Sequence, residues 1–276
     1  MRKGIAGLAV LLAFVAASNA AAASCQTIST GTLTIGTDNP AYGPWYGGGS
    51  PSGSKWKVND PSTGKGYESA VAYAVANALG FNSAHVQWTY VPFNRSFAPG
   101  RKSFDFDINQ ISYTPARAKV VTFSDSYYDV NQAIVVLAGT KIASVSTVAG
   151  LRGFKLGAQL GTTSYAYIKG HIKPSTQPAV YQQNAAAVQA LKNKQIDGLV
   201  VDLPTAFYVS AVQVSHAKVR QFPSVPGGEH FGLVFAKDNG LVTCVNGALT
   251  ALKANGTLAR IRETWLAKAT GAPVLK

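Results

Sequence analysis

The stretch FDFDINQISYTPAR, residues 104–117, decides the fold that this chain is expected to adopt. Its first half alternates apolar and polar residues, with both phenylalanines and Ile108 on one face, which is the period of a β-strand. Its second half predicts a helix start, because Thr114 is a good N-cap and Pro115 suits the first helical position. A strand that runs directly into a helix is the repeating unit of α/β proteins.

Arg117 falls in the first turn of this predicted helix, close to free backbone N–H groups and to the hydroxyl of Ser112. A guanidinium, free N–H donors and a hydroxyl together make a site for a small anion, most naturally a carboxylate held by two hydrogen bonds. The competing interpretation is an exposed arginine, whose charge contributes little energy. If Arg117 is a surface residue of its lobe, Arg117→Ala should lose most ligand binding and leave the fold intact.

Several segments resemble the polar amino-acid-binding proteins of ABC importers, which are solute-binding proteins of family 3. The first is NQISYTPAR at 109–117, followed by VTFSDSYY at 121–128. The second is LRGFKLGAQ at 151–159 with GTT at 161–163. The likeness extends over nearly the whole chain after the N-terminal segment, including the phrase ANGTL at 254–258.

The resemblance implies an α/β protein with the two-lobed, type II periplasmic-binding-protein-like fold. Each lobe would be a mixed sheet flanked by helices, and two hinge crossings would join the lobes. The expected boundaries are residues 24–131 plus 230–276 for lobe 1 and 132–229 for lobe 2. The apolar segments 131–137 and 230–236 are the predicted crossings, and such a molecule would close on its ligand by a hinge.

The resemblance also implies how a zwitterionic amino acid would be held in the cleft. Arg117, Ser112 and the helix end at Thr162 and Thr163 would take the carboxylate, and Asp202 would take the ammonium. The other side chains expected around the ligand are Asp38, Tyr42, Trp45, Glu68, Phe93, Asn109, Gln110 and Gln159.

Some of these side chains also have plain structural interpretations. Tyr42 and Trp45 lie in a Gly-rich loop, where aromatic residues commonly serve loop packing. Thr162 could be an ordinary helix cap. Asp202 could cap a helix that begins at Pro204, although it also ends an apolar strand, which is where α/β sheets bind ligands.

The N-terminus has the features of an export signal. Met1-Arg2-Lys3 precedes an apolar run from Ile5 to Ala17 and small residues up to Ala23, which predicts a signal peptide over residues 1–23. The net charge of +13 could suggest nucleic acid, but the basic residues are scattered. For an exported, periplasmic or surface-associated protein, a solvated surface facing an anionic envelope is the better account, so no nucleic acid partner is expected.

The two cysteines, Cys25 and Cys244, could form one disulfide in an oxidising compartment. Two independent thiols, or a lipid anchor on Cys25, are the alternatives.

The resemblance implies transport rather than catalysis. We expect a monomer that binds an amino acid without a cofactor or metal and delivers it to the membrane subunits of an ABC permease. An enzyme of the same fold, such as a cyclohexadienyl or arogenate dehydratase with Glu68 or Glu229 as its acid, is the alternative. A sensory binding protein with the same cleft is a third possibility, which differs in its partner.

Overall fold

The computed structural model describes residues 25–225, 227–267 and 271–276, so the predicted signal peptide lies outside the described residues. Ten strands and eight α-helices are assigned within these ranges. The strands are β1 (Leu33–Thr37), β2 (Val86–Tyr90), β3 (Phe106–Asp107), β4 (Thr122–Val130), β5 (Gln132–Leu137), β6 (Leu156–Gln159), β7 (Ala179–Tyr181), β8 (Gly198–Asp202), β9 (Ala217–Gln221) and β10 (Glu229–Phe235). The helices are α1 (Tyr67–Ala78), α2 (Phe93–Ser96), α3 (Pro115–Ala118), α4 (Thr163–Tyr167), α5 (Asn184–Lys192), α6 (Leu203–Tyr208), α7 (Leu241–Ala254) and α8 (Thr257–Leu266).

The strands form two five-stranded mixed sheets, one in each lobe. In lobe 1 the order is β2-β1-β3-β10-β4, with β1 parallel to β2 and β3, and β10 antiparallel to β3 and β4. In lobe 2 the order is β7-β6-β8-β5-β9, with β6 parallel to β7 and β8, and β5 antiparallel to β8 and β9. The predicted two-lobed α/β architecture is confirmed.

The chain crosses between the lobes just before each of the two predicted segments, which themselves form β5 in lobe 2 and β10 in lobe 1. Asn131 joins β4 to β5, and the segment from Phe222 leads back into β10. The lobes are also linked a third time, because the C-terminal tail pairs with lobe 2. This contact was not predicted. Gln221 donates its N–H to the carbonyl of Pro273 (2.9 Å), and Leu275 is buried in the lobe 2 core. The predicted boundaries placed this tail in lobe 1; as a division of the chain they stay a prediction.

Strand β3 is shorter than the sequence pattern predicts, and it lies in the middle of its sheet, buried on both faces. Phe104 and Phe106 are buried as expected, but the intervening Asp105 and Asp107 are buried too. Asp105 accepts hydrogen bonds from the N–H groups of Ile28 and Thr34, at 2.7 and 2.6 Å, and so fixes the N-terminal segment to the sheet. The alternation of apolar and polar residues in this strand therefore does not separate a solvent-exposed face from a buried face.

Helix α1 begins at a glycine that the fold requires. Gly66 has a φ of +93°, and a Cβ at this position would lie 2.4 Å from the Cα of Tyr46. The close approach lets the Trp45 carbonyl accept the N–H of Glu68 (2.9 Å). Trp45 is thereby fixed in the lobe 1 core, where its ring makes edge contacts with Tyr67 and Tyr128.

Cys25 and Cys244 form a disulfide, with their Cα atoms 5.8 Å apart, so the disulfide prediction is confirmed. The bond ties the first described residue to helix α7. It also rules out the two alternatives, independent thiols and a lipid anchor on Cys25.

Candidate functional site

A cavity lies between the two sheets, at the carboxyl ends of their parallel strands. Asp38 and Asn109 follow β1 and β3 in lobe 1, and Gln159 and Asp202 end β6 and β8 in lobe 2. This edge is where open α/β sheets generally bind ligands. All but two of the predicted ligand-binding residues line it, namely Asp38, Tyr42, Trp45, Phe93, Asn109, Gln110, Ser112, Gln159, Thr162, Thr163 and Asp202.

Two partly buried carboxylates share one amide at the hinge side of the cavity. The Nε2 of Gln132 donates to Asp202 Oδ1 (2.7 Å) and to Glu229 Oε2 (2.9 Å). The Oε1 of the same glutamine accepts from the hydroxyl of Ser164 (2.6 Å), while Ser112 Oγ donates to Glu229 Oε1 (2.6 Å). Gln132 and Glu229 belong to different lobes, so this network spans the hinge.

Burial, followed by the nearby charge of Glu229, raises the pKa of Asp202 well above its ordinary value. The hydrogen bond from Gln132 and the charge of Arg117 oppose this shift. Asp202 is the N-cap residue of α6, but its side chain makes no capping hydrogen bond. Its carboxylate is therefore available to the cavity, and a cation beside it would offset its desolvation.

Arg117 does not line the cavity but lies behind Ser112, and it bridges the lobes. Its Nη1 donates to the carbonyl of Ser112 (2.6 Å), and its Nη2 donates across the cleft to the carbonyl of Gly161 (2.8 Å). The guanidinium lies over the ring of Phe97, 4.1 Å from its centroid. Burial lowers the pKa of Arg117 to about 10, opposed by the charges of Glu229 and Asp202, so it stays protonated at neutral pH.

The prediction that Arg117 is a surface residue is wrong, because 92% of its surface is covered and only 8% is exposed. The predicted cap at Thr114 is present, and its side chain accepts the N–H of Arg117 (3.1 Å). The helix is only one turn long, and Phe97 covers the guanidinium, so the short helix turns its arginine inward. The guanidinium of Arg117 has five N–H donors and uses two of them in these hydrogen bonds, so others remain for a ligand carboxylate.

Thr162 and Thr163 stand where α4 meets the cleft. Thr162 is the N-cap, and its hydroxyl oxygen accepts the N–H of Tyr165 (3.1 Å), so the interpretation as an ordinary cap holds for this residue. Thr163 Oγ1 lies 3.3 Å from the Oγ of Ser112 in the other lobe. Gly161, just before the cap, has a φ of +77°, and a Cβ there would lie 2.4 Å from Asn94 Oδ1.

Glu68 does not line the cavity but lies fully buried behind Gln110. It accepts the backbone N–H of Gln110 (2.6 Å), and it also bonds the Gln110 side-chain amide and the Tyr127 hydroxyl (2.5 Å). Gln110 has a φ of +50°, which is uncommon for a residue other than glycine. Burial raises the pKa of Glu68 to about 7, opposed by hydrogen bonds, that from Tyr127 first. Glu68 therefore acts on the cavity through Gln110.

Trp45 is part of the core and also a contact between lobes. Its ring is 2% exposed, and its Nε1 donates to the hydroxyl of Thr205 in lobe 2 (2.9 Å). Tyr42 faces Tyr208 of lobe 2, with ring centroids 6.5 Å apart. Both aromatic residues thus do more than pack within their loop.

The sequence analysis did not predict that Gln132, Thr205 and Tyr208 lie at the site. It named Glu229 only as a possible catalytic acid of an enzyme. One signal was available for Gln132, a polar residue that opens the apolar strand β5 and is 4% exposed. Thr205 and Tyr208 lie on one face of the short helix α6, which the sequence pattern did not define.

Two polar atoms around the cavity have no protein partner in the described part of the chain. These are Nδ2 of Asn109, a donor, and Oδ1 of Asn184, an acceptor. Buried polar groups are normally hydrogen-bonded, so a donor and an acceptor left open at one cavity indicate a polar ligand.

A family model of bacterial extracellular solute-binding proteins, family 3, matches residues 51–268. The chain belongs to this family. Its fold and its interlobe cavity agree with that membership.

The chain is similar to an ABC transporter arginine-binding protein of Escherichia coli K12. The two are 30% identical over 167 residues, which cover 59% of this chain and 67% of the relative. Among solved structures it is similar to an ancestral arginine-binding protein bound to glutamine, with a TM-score of 0.70, 29% identity, and coverage of 86% of this chain and 99% of that one. It is also similar to an ancestral amino acid-binding protein described as a precursor of cyclohexadienyl dehydratase, with a TM-score of 0.66, 27% identity and coverage of 85% and 95%.

In the ranges that the structure describes, no helix is both long and apolar enough to cross a bilayer. Within the same ranges, no group of three or more histidine, cysteine, aspartate or glutamate side chains could hold a metal ion.

Proposed function

We propose that this family 3 protein captures a free amino acid between its lobes and delivers it to the membrane subunits of an ABC importer. The observation that carries the proposal is the set of groups that meets at the cavity from both lobes. The carboxylate of Asp202 lines the cavity, the protonated guanidinium of Arg117 lies behind its lining residue Ser112, and Asn109 and Asn184 offer an open donor and acceptor. A zwitterion needs one group of each sign, and Asp202 and Arg117 supply them.

In this proposal the α-carboxylate takes the remaining donors of Arg117 with the hydroxyls of Ser112 and Thr163. The α-ammonium lies against Asp202, where it offsets the cost of a buried carboxylate. Because the groups come from both lobes, the ligand binds the closed form more tightly than the open form, which is what closure by a ligand requires.

We propose further that the side chain of the ligand is cationic, as in arginine, lysine or histidine. Asp38 lines the cavity, and burial raises its pKa despite hydrogen bonds from the backbone of Asn39 and Phe93. A guanidinium or ammonium beside it would favour its charged form. The rings of Tyr42 and Tyr208 lie at the same cavity and can flank a planar cation. The arginine-binding relatives support this assignment.

A thermal-shift screen tests the proposal on the processed protein after removal of carried-over ligand. A ligand at a hundred times its Kd should add about 2.7 kcal/mol to the unfolding free energy. We expect a shift with L-arginine, L-lysine or L-histidine and none with agmatine, which lacks the α-carboxylate. Equal shifts with agmatine and arginine would contradict the carboxylate site.

A matched pair of variants locates the site. Asp202→Asn should abolish the shift, whereas Asp238→Asn, which changes an exposed aspartate of lobe 1, should keep it. Asp38→Asn should reduce the affinity for arginine more than the affinity for glutamine, by about tenfold for the loss of one charge-assisted hydrogen bond. Equal losses for both ligands would remove Asp38 from the specificity assignment.

We propose that the protein is not an enzyme, because the similar proteins are binding proteins and because Asp202, Glu229 and Glu68 are hydrogen-bonded to glutamine amides. The likeness to a dehydratase precursor makes prephenate and arogenate the substrates to try. Release of phenylpyruvate or phenylalanine by the purified protein would overturn this part of the proposal.

We also propose that the protein acts outside the cytoplasmic membrane as a monomer, without nucleic acid. Sedimentation equilibrium of the processed protein tests the monomer.

A further inference from the structure

The cations of lobe 2 gather at the end of the lobe that faces away from the cleft. Strands β6 and β8 are parallel, and their carboxyl ends form the cavity, so their starting ends lie at the opposite edge. Lys155 directly precedes β6, and Lys194 follows α5 on the way to β8. Because β5 runs antiparallel to β8, its last residue, Leu137, lies at the same distant edge, and Lys141 follows it.

Hydrogen bonds tie the other segments to this edge. Ala138 donates its N–H to the carbonyl of His216 (2.8 Å), which brings the start of β9, with Lys218, beside the end of β5. The Nε of Arg152 donates to the carbonyl of Ile172 (3.1 Å), which fixes the end of the helical segment that carries Lys169 and Lys173. We call the resulting set the distal basic end; its exposed members are Lys141, Arg152, Lys155, Lys169, Lys173, Lys192, Lys194 and Lys218.

These cations are not neutralised by acids of the same lobe. The exposed acid among them is Asp197, whose carboxylate accepts the backbone N–H of Lys155 (2.8 Å). Asp202 is at the cavity. Within the described ranges, the ion pair that the structure forms joins Lys237 to Asp238 in the other lobe. The cavity end of lobe 2 carries neutral polar groups and Asp202, so the positive charge is polarised along the lobe.

The cations lie across the full width of a sheet rather than around a pocket. Five strands at about 4.8 Å spacing span about 20 Å. Such a row does not converge on one small anion, but it suits a plane of anionic groups. Clusters of this size are typical of proteins that adsorb to anionic lipid. The family is extracellular by description, so the plane of phosphate that the protein meets is the outer face of a membrane.

We propose that the distal basic end is a docking surface for the anionic phospholipid headgroups of the cell-envelope membrane. It holds the protein close to the bilayer while the cleft, at the other end of the lobe, stays open to solute. The surface is remote from the cavity, so this inference does not rest on the proposed ligand.

Vesicle sedimentation tests the proposal. The protein should bind vesicles containing about one third phosphatidylglycerol and should not bind pure phosphatidylcholine. Binding should be lost between about 0.1 and 1 M salt, since the Debye length falls from about 10 to about 3 Å. Absence of binding to the anionic vesicles at low salt would overturn the proposal.

Two variants of equal net charge separate a localised surface from overall charge. The distal variant changes Lys155, Lys173, Lys192 and Lys194 to Gln. The control variant changes four exposed lysines of lobe 1 to Gln, namely Lys57, Lys65, Lys119 and Lys253. We expect the partition coefficient of the distal variant to fall at least about tenfold and that of the control to fall by less than about threefold.

Equal losses in the two variants would show a general charge effect and refute the localised surface. Binding to soluble polyphosphate or to duplex DNA that matches or exceeds binding to vesicles would also overturn the bilayer as the partner. Thermal unfolding of both variants at the wild-type temperature verifies that the measured losses come from the surface and not from a damaged fold.

Discussion

Glu68→Gln should change how the stability of this protein depends on pH. The wild-type carboxylate is fully buried, with its oxygens turned toward Gln110 and Tyr127, and burial raises its pKa from 4.5 to about 7. Tyr46, Asp107 and Asp202 are further titratable groups whose charges interact with it. Glutamine has the same shape and can accept the same N–H, but it does not titrate.

The sign follows from where the proton is held. Below pH 4.5 Glu68 is protonated in both states and adds no pH dependence. Between pH 4.5 and about 7 the folded state keeps a proton that the unfolded state has lost, so the unfolding free energy falls as pH rises. The slope is about 1.4 kcal/mol per pH unit, which gives a loss of about 3 kcal/mol that is complete above pH 7.

Urea denaturation at pH 4.5, 5.5, 6.5 and 7.5 measures this difference. We expect the unfolding free energy of the glutamine variant, relative to that of the wild type, to rise by about 3 kcal/mol across the series, with the rise between about pH 5 and 7. Glu263→Gln, which removes an exposed carboxylate of α8, is the control and should track the wild type. Parallel curves for wild type and Glu68→Gln would refute the assignment of a buried, protonated Glu68.

Three further changes test the contacts between and within lobes. Arg117→Lys keeps the charge but loses the planar guanidinium that reaches the Gly161 carbonyl. The unfolding free energy should fall by about 1–3 kcal/mol, and the amino acid affinity measured by calorimetry should fall at least about tenfold. Unchanged values for both would contradict the bridging role. Trp45→Phe removes the donor to Thr205 but keeps a large ring, and it should weaken the ligand affinity measured by calorimetric titration about three- to tenfold. Full affinity would show that this hydrogen bond adds nothing to closure. Cys244→Ser opens the disulfide and should lower the urea-derived unfolding free energy by about 2–5 kcal/mol, and a loss below about 0.5 kcal/mol would show that the bond contributes little.

Local signals in the sequence predicted the elements well where one residue has one physical role. Thr114 and Pro115 defined the start of α3, and Gly66 defined the start of α1, because caps and left-handed glycines act within a few residues. The apolar segments that cross between lobes were likewise recognised from their composition. Family resemblance then assembled these elements into two lobes, which local patterns do not specify.

Side-chain direction was not predictable in the same way. Glu68 was expected at the ligand because the turn that it follows resembles one of the family, yet it faces Gln110 from behind. Its position depends on contacts with residues far along the chain, such as Tyr127. Arg117 was treated as exposed because its helix gave no sign that the rings of Phe93 and Phe97 would cover it. Both errors concern contacts between segments that the chain order does not reveal.

The C-terminal tail shows the same limit for an entire segment. After the helices of lobe 1 the chain returns to lobe 2, where the N–H of Leu275 donates to the Gln221 carbonyl (2.9 Å) and that of Lys276 to the Ser146 carbonyl (2.9 Å). A few residues with two apolar side chains carry no strand signal that could specify a partner across the molecule. The tail pairs with β9, an edge strand whose outer backbone groups are not used by a neighbouring strand of the sheet.

The contacts between the lobes bear on how a ligand would close the cleft. Arg117 bonds Gly161, Trp45 bonds Thr205, and the hydroxyl of Ser112 approaches that of Thr163. Direct contacts of this kind stabilise the closed form by themselves. A ligand then has to supply only the remaining difference between open and closed forms, since the apparent Kd equals the intrinsic Kd divided by the closed fraction. Mutations that weaken these contacts should therefore lower affinity even where they leave every ligand contact in place.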